Sequence, residues 1–357
     1  MKTRTPGRVL VALLLALSLL AASCGDSDDE GSGEEGKSDL AQPGEGKEIT
    51  LARANWSTGY MQAAIYQQLL GELGYEVSDP STNEMDPATF FPAVAEGEVD
   101  AWVNTWTPIH DTQFIDGNPE IEDKVTSLGE EMQQGALQGI LIDKATADEH
   151  DITTIDQIAE DPELAKLFDV DGDDIADVYG CDEGWGCEKT LTEWFAARDW
   201  TGKTVNQLSG TYSAVFTEAS SRIADGEPTL VYTWTPSAYV SELLPGDNVV
   251  WLGTDAPLDE QKGAANLTAE TCPAQPCEMG FVAADIRVTV NNDFLAENPA
   301  AGKLFELVKL NVIDVAKENV QYDGGEDSEA DVSRHASEWI EENREDVDAW
   351  LEEASKA

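Results

Sequence analysis

The chain of 357 residues carries 71 acidic and 21 basic side chains, which gives a formal net charge of −50 at pH 7. A protein of this charge repels phosphate backbones and anionic lipid surfaces, so nucleic acid is excluded as a partner. Residues 48–357 provide about 310 residues for the folded part, which is enough for two lobes with a substantial core and excludes one small domain.

The N-terminus has the pattern of a signal peptide. Three basic residues precede an apolar run at 9–20, and small residues follow it up to Cys24. A dozen apolar residues are too few for a permanent membrane helix, and small residues admit a peptidase. The sequence Leu-Ala-Ala-Ser-Cys resembles a bacterial lipobox, which implies removal of residues 1–23 and a diacylglycerol on Cys24. A secretory peptide with an incidental cysteine is the alternative.

Residues 24–47 form the predicted connection between this cysteine and the folded body. Most of them are Gly, Ser, Asp or Glu, and almost nothing among them could enter a core. Such a composition predicts a disordered acidic linker. We therefore expect an extracytoplasmic protein, held at the cell membrane by the lipid on Cys24 alone.

The body alternates helical and strand-like stretches, which is typical of an α/β protein. Residues 49–53 resemble a buried strand, and residues 61–73 have helical spacing of apolar side chains. Short apolar runs follow at 136–142 and 249–253. The amphipathic pattern at 332–354 predicts one helix docked on the body.

A repeated tetrapeptide is the most informative internal feature. Residues 105–108 and 233–236 both read Thr-Trp-Thr-Pro, and each follows a glycine and a short strand-like run. The second threonine can cap a new helix whose first turn holds the proline. Trp106 and Trp234 would then lie just past the carboxyl ends of two strands, where open α/β sheets bind ligands. Two such units predict two lobes that each present one tryptophan to a shared cleft.

The five cysteines comprise Cys24 and two closely spaced pairs, Cys181/Cys187 and Cys272/Cys277. In an exported protein these pairs predict two local disulfides. A zinc site is the alternative, but neither pair has the Cys-x-x-Cys spacing of a zinc knuckle and the chain has only three histidines.

The first cysteine pair closes a loop that contains Trp185. A seven-residue ring cannot bury this indole, and its flanking glycines allow a ligand to approach closely. The disulfide fixes the loop before ligand arrives. The N–H groups of Gly186 and Cys187 would point from the start of a helix at 188–198, and helix N-termini attract anions.

A trimethylammonium group cannot donate a hydrogen bond, so proteins hold it against aromatic faces, each of which contributes roughly 0.5 to 2 kcal/mol. Trp106, Trp185 and Trp234 are the candidate faces. A carboxylate on the same ligand would need donors, for which His110 and the Gly186 and Cys187 amides are the candidates.

Nearly the whole body resembles the glycine betaine/proline betaine-binding proteins of ABC osmoprotectant import systems, the ProX type. The stretches that carry the resemblance are residues 106–111 (WTPIHD), 138–144 (QGILIDK), 165–169 (AKLFD), 180–188 (GCDEGWGCE), 232–236 (YTWTP) and 249–252 (VVWL). In that family a tryptophan box holds the quaternary ammonium, which implies this role for Trp106, Trp185 and Trp234. The carboxylate contacts carry over to His110 and to the amides of Gly186 and Cys187.

The resemblance also implies a two-lobed type II periplasmic-binding-protein fold that closes on its ligand. We expect residues 48–134 and 251–357 to form lobe 1 and residues 135–250 to form lobe 2. The implied ligand is glycine betaine or proline betaine, and the implied partners are an ABC permease and its ATPase, with no cofactor. The second cysteine pair, the acidic linker and residues 256–278 depart from the family pattern.

The remaining tryptophans have mainly structural explanations. Trp56 follows the first strand and could also line the cleft, and Trp102 is a similar case. The five in helical or strand-like runs, expected to be packing residues, are Trp194, Trp200, Trp251, Trp339 and Trp350. His150 and His335 are expected at the surface.

Residues 169–177 resemble a calcium loop, with candidate ligands Asp169, Asp171, Asp173 and Asp177. An EF-hand requires Gly at the sixth position and Glu at the twelfth, where this chain has Asp174 and Gly180, so a solvated acidic turn is the alternative.

Two other functions share these features. A choline- or carnitine-binding protein of the same fold would use the same aromatic faces. A secreted glycosidase-like enzyme would need two carboxylates on either side of the bond that it cleaves, and with 71 acidic residues such a pair is not excluded by counting. The chain shows no Ser/His/Asp arrangement, nucleophile elbow, phosphate loop or His-rich metal motif, so we expect a binding protein and not an enzyme.

Overall fold

A computed structural model describes residues 40–263 and 265–357. The predicted signal peptide, Cys24 and residues 25–39 of the predicted linker lie outside the described residues. The prediction of disorder is wrong for residues 40–47, because Leu40 packs against the core and the Gly44 N–H donates to the Leu73 carbonyl at 3.0 Å. Within the described ranges, no helix combines the length and the apolar character that crossing a membrane requires.

Most of the strands belong to one mixed sheet of nine strands. The order is β4-β2-β5-β11-β6-β9-β7-β8, and β10 pairs with β6; β1 and β3 form a separate parallel pair. The eleven strands are β1 Glu48–Ile49, β2 Leu51–Ala54, β3 Glu76–Val77, β4 Glu84–Met85, β5 Ala101–Thr107, β6 Val125–Asp143, β7 Ala176–Tyr179, β8 Val205–Leu208, β9 Leu230–Thr235, β10 Val249–Trp251 and β11 Ala284–Asn291.

Strand β6 joins the two sides of this sheet. Its first part pairs antiparallel with β11 as far as Ala136, and from Leu137 onward it pairs antiparallel with β9. The apolar run at 136–142 is therefore the second part of a 19-residue strand. Strands β2 and β5 lie on one side of β6 and strands β7 and β9 on the other. The residues at which the chain divides into lobes stay a prediction.

The described residues form fourteen α-helices. They are α1 Thr58–Glu72, α2 Pro87–Glu96, α3 Pro119–Glu122, α4 Lys144–His150, α5 Ile155–Glu160, α6 Pro162–Ala165, α7 Gly186–Ala197, α8 Tyr212–Ala224, α9 Tyr239–Glu242, α10 Asn292–Glu297, α11 Pro299–Leu307, α12 Val312–Asp323, α13 Glu329–Glu342 and α14 Arg344–Ala354. A π-helical turn covers Asp111–Ile115, and 3-10 turns cover Pro80–Asn83, Lys166–Phe168 and Asp259–Gln261.

The C-terminal segment forms two helices, so the expectation of one helix at 332–354 is wrong. The Trp339 carbonyl accepts both the backbone N–H of Asn343 at 3.0 Å and its side-chain amide at 2.8 Å, which closes the last turn of α13. Glu345 and Asp346 follow in the first turn of α14, where acidic side chains favour a helix start.

Helical residues at 109–115 follow Pro108 of the first tetrapeptide directly, as predicted, but the helix start predicted at the second tetrapeptide is wrong. After β9 the chain bends through residues 236–238, and α9 begins only at Tyr239 with Ala238 as its cap. The Thr235 hydroxyl instead accepts a hydrogen bond from the Leu137 backbone N–H at 3.3 Å. Both Thr-Pro peptide bonds of the repeat are cis. Trp106 and Trp234 are accordingly the next-to-last residues of their strands and do not lie beyond them.

Candidate ligand-binding site

A cavity of about 320 Å³, including its mouth, lies where β5, β6, β9 and the start of α7 meet. The residues that line it are Trp56, Trp106, Ile109, His110, Gln138, Trp185, Gly186, Cys187, Tyr232 and Trp234. The structure thus brings together all six residues predicted to contact a ligand, together with Trp56.

Four buried indoles form most of the wall. The Trp185 ring lies 5.6 Å from Trp234 at 81° and 5.2 Å from Trp56 at 65°, measured between ring centroids. Trp106 completes the set from the end of β5 and is 5% exposed. Because neighbouring rings are close to perpendicular, several faces can address one small group at the same time.

Local sequence explains how these rings reach one place. Trp56 follows β2, and Trp106 is next to last in the neighbouring strand β5. Trp234 is next to last in β9, where it pairs with Gln138 of β6. Trp185 immediately precedes α7 and is its N-cap residue. Strand ends and a helix start therefore supply all four rings.

His110 is a buried neutral donor at the same cavity. Burial lowers the pKa of this imidazole to about 3, so the ring is neutral at physiological pH. Its Nδ1 accepts a hydrogen bond from the Trp106 backbone N–H at 3.1 Å, and an accepting nitrogen carries no proton. The proton is therefore on Nε2. A Cβ atom placed on Gly186 would lie 3.5 Å from this nitrogen, so the Nε2–H group is next to the start of α7.

The start of α7 adds two backbone donors to the lining. Gly186 and Cys187 occupy the first two positions of this 12-residue helix, whose first N–H groups have no partner within the helix. The structure joins Cys181 to Cys187 and Cys272 to Cys277, the two pairs predicted from spacing. The first bond ties the loop that carries Trp185 to the helix that carries these donors.

Tyr232 and Gln138 are lining residues that the sequence analysis did not identify. The Tyr232 hydroxyl donates a hydrogen bond to Gln138 Oε1 at 2.7 Å, and burial raises the pKa of this phenol well above its ordinary value. Strand periodicity contained the signal, because Tyr232 and Trp234 are two residues apart on β9 and so share a face. Gln138 had no such signal in the sequence, because only the pairing of β6 with β9 places it opposite Trp234.

The other tryptophans do not line the cavity, although the Trp102 ring packs behind two lining residues, 5.7 Å from Trp56 and 6.1 Å from His110 between ring centroids. Trp102 is fully buried, and its ring centroid is 4.3 Å from that of Phe90 in the core. Trp194, Trp200, Trp251, Trp339 and Trp350 are likewise buried or packed against the core, as expected.

The histidine expected at the surface in the C-terminal region is buried, so that expectation is wrong. His335 lies between α12 and α13 with its Nε2 2.9 Å from a Glu326 carboxylate oxygen. Its Nδ1 is 3.7 Å from Oε1 of buried Glu318, a separation too long for a hydrogen bond. His150 is exposed.

The acidic loop brings Asp169, Asp171 and Asp177 together, with one carboxylate oxygen of each within 4.8 Å of the others. Asp169 already accepts hydrogen bonds from three backbone N–H groups, which lower the pKa of its carboxyl. Asp173 is outside this group and accepts from the Ile175 N–H. Calcium binding at this loop stays a prediction.

Comparison with protein families and with curated proteins gives consistent matches. The model of the substrate binding domain of ABC-type glycine betaine transport system matches residues 47–342. The glycine betaine/proline betaine-binding periplasmic protein of Escherichia coli (strain K12) is 35% identical over 315 residues, which cover 88% of this chain and 92% of that protein. The glycine betaine-binding periplasmic protein OusX of Dickeya dadantii (strain 3937) is 34% identical over the same shares.

Solved structures of low sequence identity share the fold. An ABC-transporter choline-binding protein in complex with choline has a TM-score of 0.64 at 15% identity, covering 85% of this chain and 91% of that one. Lactococcal OpuAC in its closed-liganded conformation with glycine betaine has a TM-score of 0.61 at 19% identity, covering 85% and 99%. The predicted α/β, two-lobed periplasmic-binding-protein fold is confirmed.

Proposed function

Because the chain belongs to the family of substrate-binding domains of ABC-type glycine betaine transport systems, we propose that it captures glycine betaine or a related betaine between the faces of Trp106, Trp185 and Trp234, with Trp56 as a fourth face. The observation that carries this proposal is that four buried indoles line one small cavity, with the Trp185 ring at 81° to that of Trp234 and at 65° to that of Trp56. The family consists of binding proteins, so the glycosidase alternative is wrong.

The cation would be held without a counter-charge. Among the described residues that line the cavity, none is an aspartate or a glutamate. A methylated ammonium offers no N–H group, so a carboxylate could attract it only by charge, whereas an indole face attracts it by its quadrupole and by dispersion. Exclusion of water by the bound ligand would strengthen both the ring contacts and any hydrogen bonds beside them.

The carboxylate of the same ligand would meet three neutral donors. These are the Nε2–H group of His110 and the backbone N–H groups of Gly186 and Cys187. The positive end of the α7 dipole adds a favourable interaction with an anion at this place. A zwitterion with its charges at opposite ends fits this division into ring faces and donors, and no cofactor takes part.

The transport role completes the proposal. The matched relatives from Escherichia coli and Dickeya dadantii are periplasmic binding proteins, which supports an extracytoplasmic location for this chain. We infer that a lipid on Cys24 anchors it at the cell membrane, and that an ABC permease with its ATPase receives the ligand. Labelling of cells with a radioactive fatty acid tests the anchor, and a Cys24→Ala variant that keeps the label would contradict it.

Calorimetric titration against glycine betaine, proline betaine, choline and carnitine tests the ligand assignment. We expect the two betaines to bind more tightly than choline, because choline has the cation and lacks the carboxylate. Equal affinity for choline and glycine betaine would show that the three donors do not bind a carboxylate. Absence of binding by all four solutes would refute the proposed function.

A further inference from the structure

The four indoles that line the cavity share a feature beyond their faces: each N–H group is bonded to a side-chain oxygen. Asn104 Oδ1 accepts from both Trp56 and Trp106, at 2.9 Å in each case. Trp185 donates to Asn55 Oδ1 and Trp234 donates to Thr58 Oγ1, also at 2.9 Å. We name Asn55, Thr58 and Asn104 the acceptor set.

This pairing is not a general property of buried tryptophans in the protein. The Nε1 atoms of Trp102 and Trp194 are buried and have no hydrogen-bond partner in the described part of the chain. Burial alone therefore leaves indole N–H groups unpaired here, whereas all four at the cavity are paired. Trp339, which is buried and does not line the cavity, also donates to a side-chain oxygen, that of Asp314 at 3.3 Å, so what distinguishes the cavity is that every one of its indoles is paired.

The acceptor set controls which part of each ring meets the cavity. None of its three residues is among the lining residues, so each N–H edge is directed to a group outside the lining. The edge of an indole is electropositive and its face is electronegative. Holding the edge away leaves the face for the ligand, and an accepted N–H bond polarises the ring further toward negative.

Asn104 is suited to hold two rings at once. It is fully buried, and its Nδ2 donates to Gln62 Oε1 at 2.5 Å, which fixes the orientation of its amide. One carbonyl oxygen has two lone pairs, which matches the two indole donors. Trp56 and Trp106 are consequently fixed relative to each other.

Asn55 and Thr58 act across the sheet. Both follow β2, whereas Trp185 precedes α7 and Trp234 ends β9, on the other side of β6. The Thr58 hydroxyl, which is fully buried, also donates to the Pro236 carbonyl at 2.9 Å. These bonds join the two sides of the sheet through the rings themselves.

We propose that Asn55, Thr58 and Asn104 are positioning residues that turn four indole faces toward the cavity and so determine its preference for a cation over an uncharged group of the same shape. The proposal rests on the proposed function for its ligand. The ring orientation that it asserts is a property of the free protein as well.

The test compares Asn104→Leu, which removes the acceptor at similar size, with Asn104→Asp, which keeps it. In Asn104→Asp the second carboxylate oxygen would face Gln62, whose Nε2 is an unpaired buried donor that can turn to meet it. Asn319→Leu is the matched control, since Asn319 is also fully buried but bonds only to the Val315 carbonyl within α12. Thermal unfolding checks that all three variants are folded.

Calorimetry would measure affinity for glycine betaine and for tert-butylacetate, which has carbon in place of the charged nitrogen. We expect Asn104→Leu to weaken glycine betaine binding by about tenfold or more and tert-butylacetate binding by less than about threefold, because the lost interaction is with charge. Asn319→Leu should keep the wild-type ratio of glycine betaine affinity to tert-butylacetate affinity, and Asn104→Asp should keep or raise this ratio. The proposal would be overturned if Asn104→Leu left the ratio unchanged, or if Asn104→Asp lost as much glycine betaine affinity as Asn104→Leu.

A second measurement separates this proposal from the proposed function. In a proton–nitrogen NMR spectrum of the free protein, Asn104→Leu should shift two indole N–H signals and Thr58→Val should shift that of Trp234. If the wild type does not bind glycine betaine but these shifts are present, the proposed function is refuted and the positioning role of the acceptor set is supported. Unshifted indole signals would refute the positioning role whatever the wild type binds.

Discussion

Replacement of Trp185 by alanine is the most direct perturbation of the ring cavity. Trp185 has the most central position of the four indoles, since its ring contacts those of Trp56, Trp234 and Tyr212 at centroid distances of 5.2, 5.6 and 5.7 Å. Its removal deletes one face and leaves the neighbouring rings without lateral support. Asn55 also loses its indole donor.

The expected magnitude follows from the burial of this ring. One indole face contributes about 0.5 kcal/mol to cation binding when exposed and about 2 kcal/mol when water is excluded. Trp185 is 6% exposed, so the upper value applies. Since about 1.4 kcal/mol corresponds to a tenfold change in affinity, we expect Trp185→Ala to weaken glycine betaine binding by roughly 10- to 30-fold.

Isothermal titration of wild type, Trp185→Ala and Trp350→Ala provides the measurement. Trp350 is a matched control because it stacks on Trp339 at 6.4 Å in the C-terminal helices and does not line the cavity. Its variant should bind with wild-type affinity. Undiminished affinity in Trp185→Ala would refute the assignment of this ring to the ligand, and equal losses in both variants would indicate a general effect on folding.

Four further predictions concern His110, the first disulfide and Glu318. His110→Ala should weaken glycine betaine binding by about tenfold or more and leave choline binding nearly unchanged, because a hydrogen bond to a charged group contributes about 1.5–3 kcal/mol. Since the pKa of His110 is about 3, wild-type affinity should be constant from about pH 5 to about pH 8, and tighter binding below the ordinary histidine pKa would show a charged ring instead. Exchange of both Cys181 and Cys187 for serine should lower the free energy of unfolding by roughly 2 kcal/mol in urea titrations, and an unchanged midpoint would argue against a stabilising bond. Burial, and next the Asp323 charge, raise the pKa of Glu318 to about 8. The protonated Glu318 side chain favours the folded state fully below the ordinary glutamate pKa, and this contribution to the free energy of unfolding is lost as the pH rises through about 8, by up to about 1.4 kcal/mol per pH unit. The Glu318→Gln variant should therefore lose less stability than wild type between about pH 5 and about pH 8 in the same urea titrations.

The sequence was sufficient to predict the rings of the site because each belongs to a local pattern. The repeated tetrapeptide indicated Trp106 and Trp234, and the cysteine-flanked loop indicated Trp185. The residues that orient these rings had no such pattern. Asn104 and Trp56 are 48 residues apart, and Thr58 and Trp234 are 176 apart, so only the sheet order brings them together.

The α/β fold class was predictable from the alternation of helix-like and strand-like stretches along the chain, but two details of the secondary structure were not predicted. The helix start predicted after the second tetrapeptide failed because the Thr235 hydroxyl bonds to Leu137 of the adjacent strand, a contact that a capping rule does not include. The break at Asn343 had a local signal, since an asparagine followed by acidic residues is typical of a helix start. Amphipathic periodicity across the break concealed it.

The charge of the protein and the neutrality of its cavity have separate consequences for selectivity. A net charge of −50 concentrates cations of every kind near the surface. Hard cations such as Ca²⁺ and Mg²⁺ require several oxygen ligands, and the described cavity lining offers mainly ring faces. The inorganic ions that the surface attracts would therefore lose their hydration in the cavity without compensation. A quaternary ammonium group is stabilised by the same faces. Neutral indoles can therefore select an organic zwitterion from a salt solution, whereas a site built from carboxylates would also bind the inorganic cations.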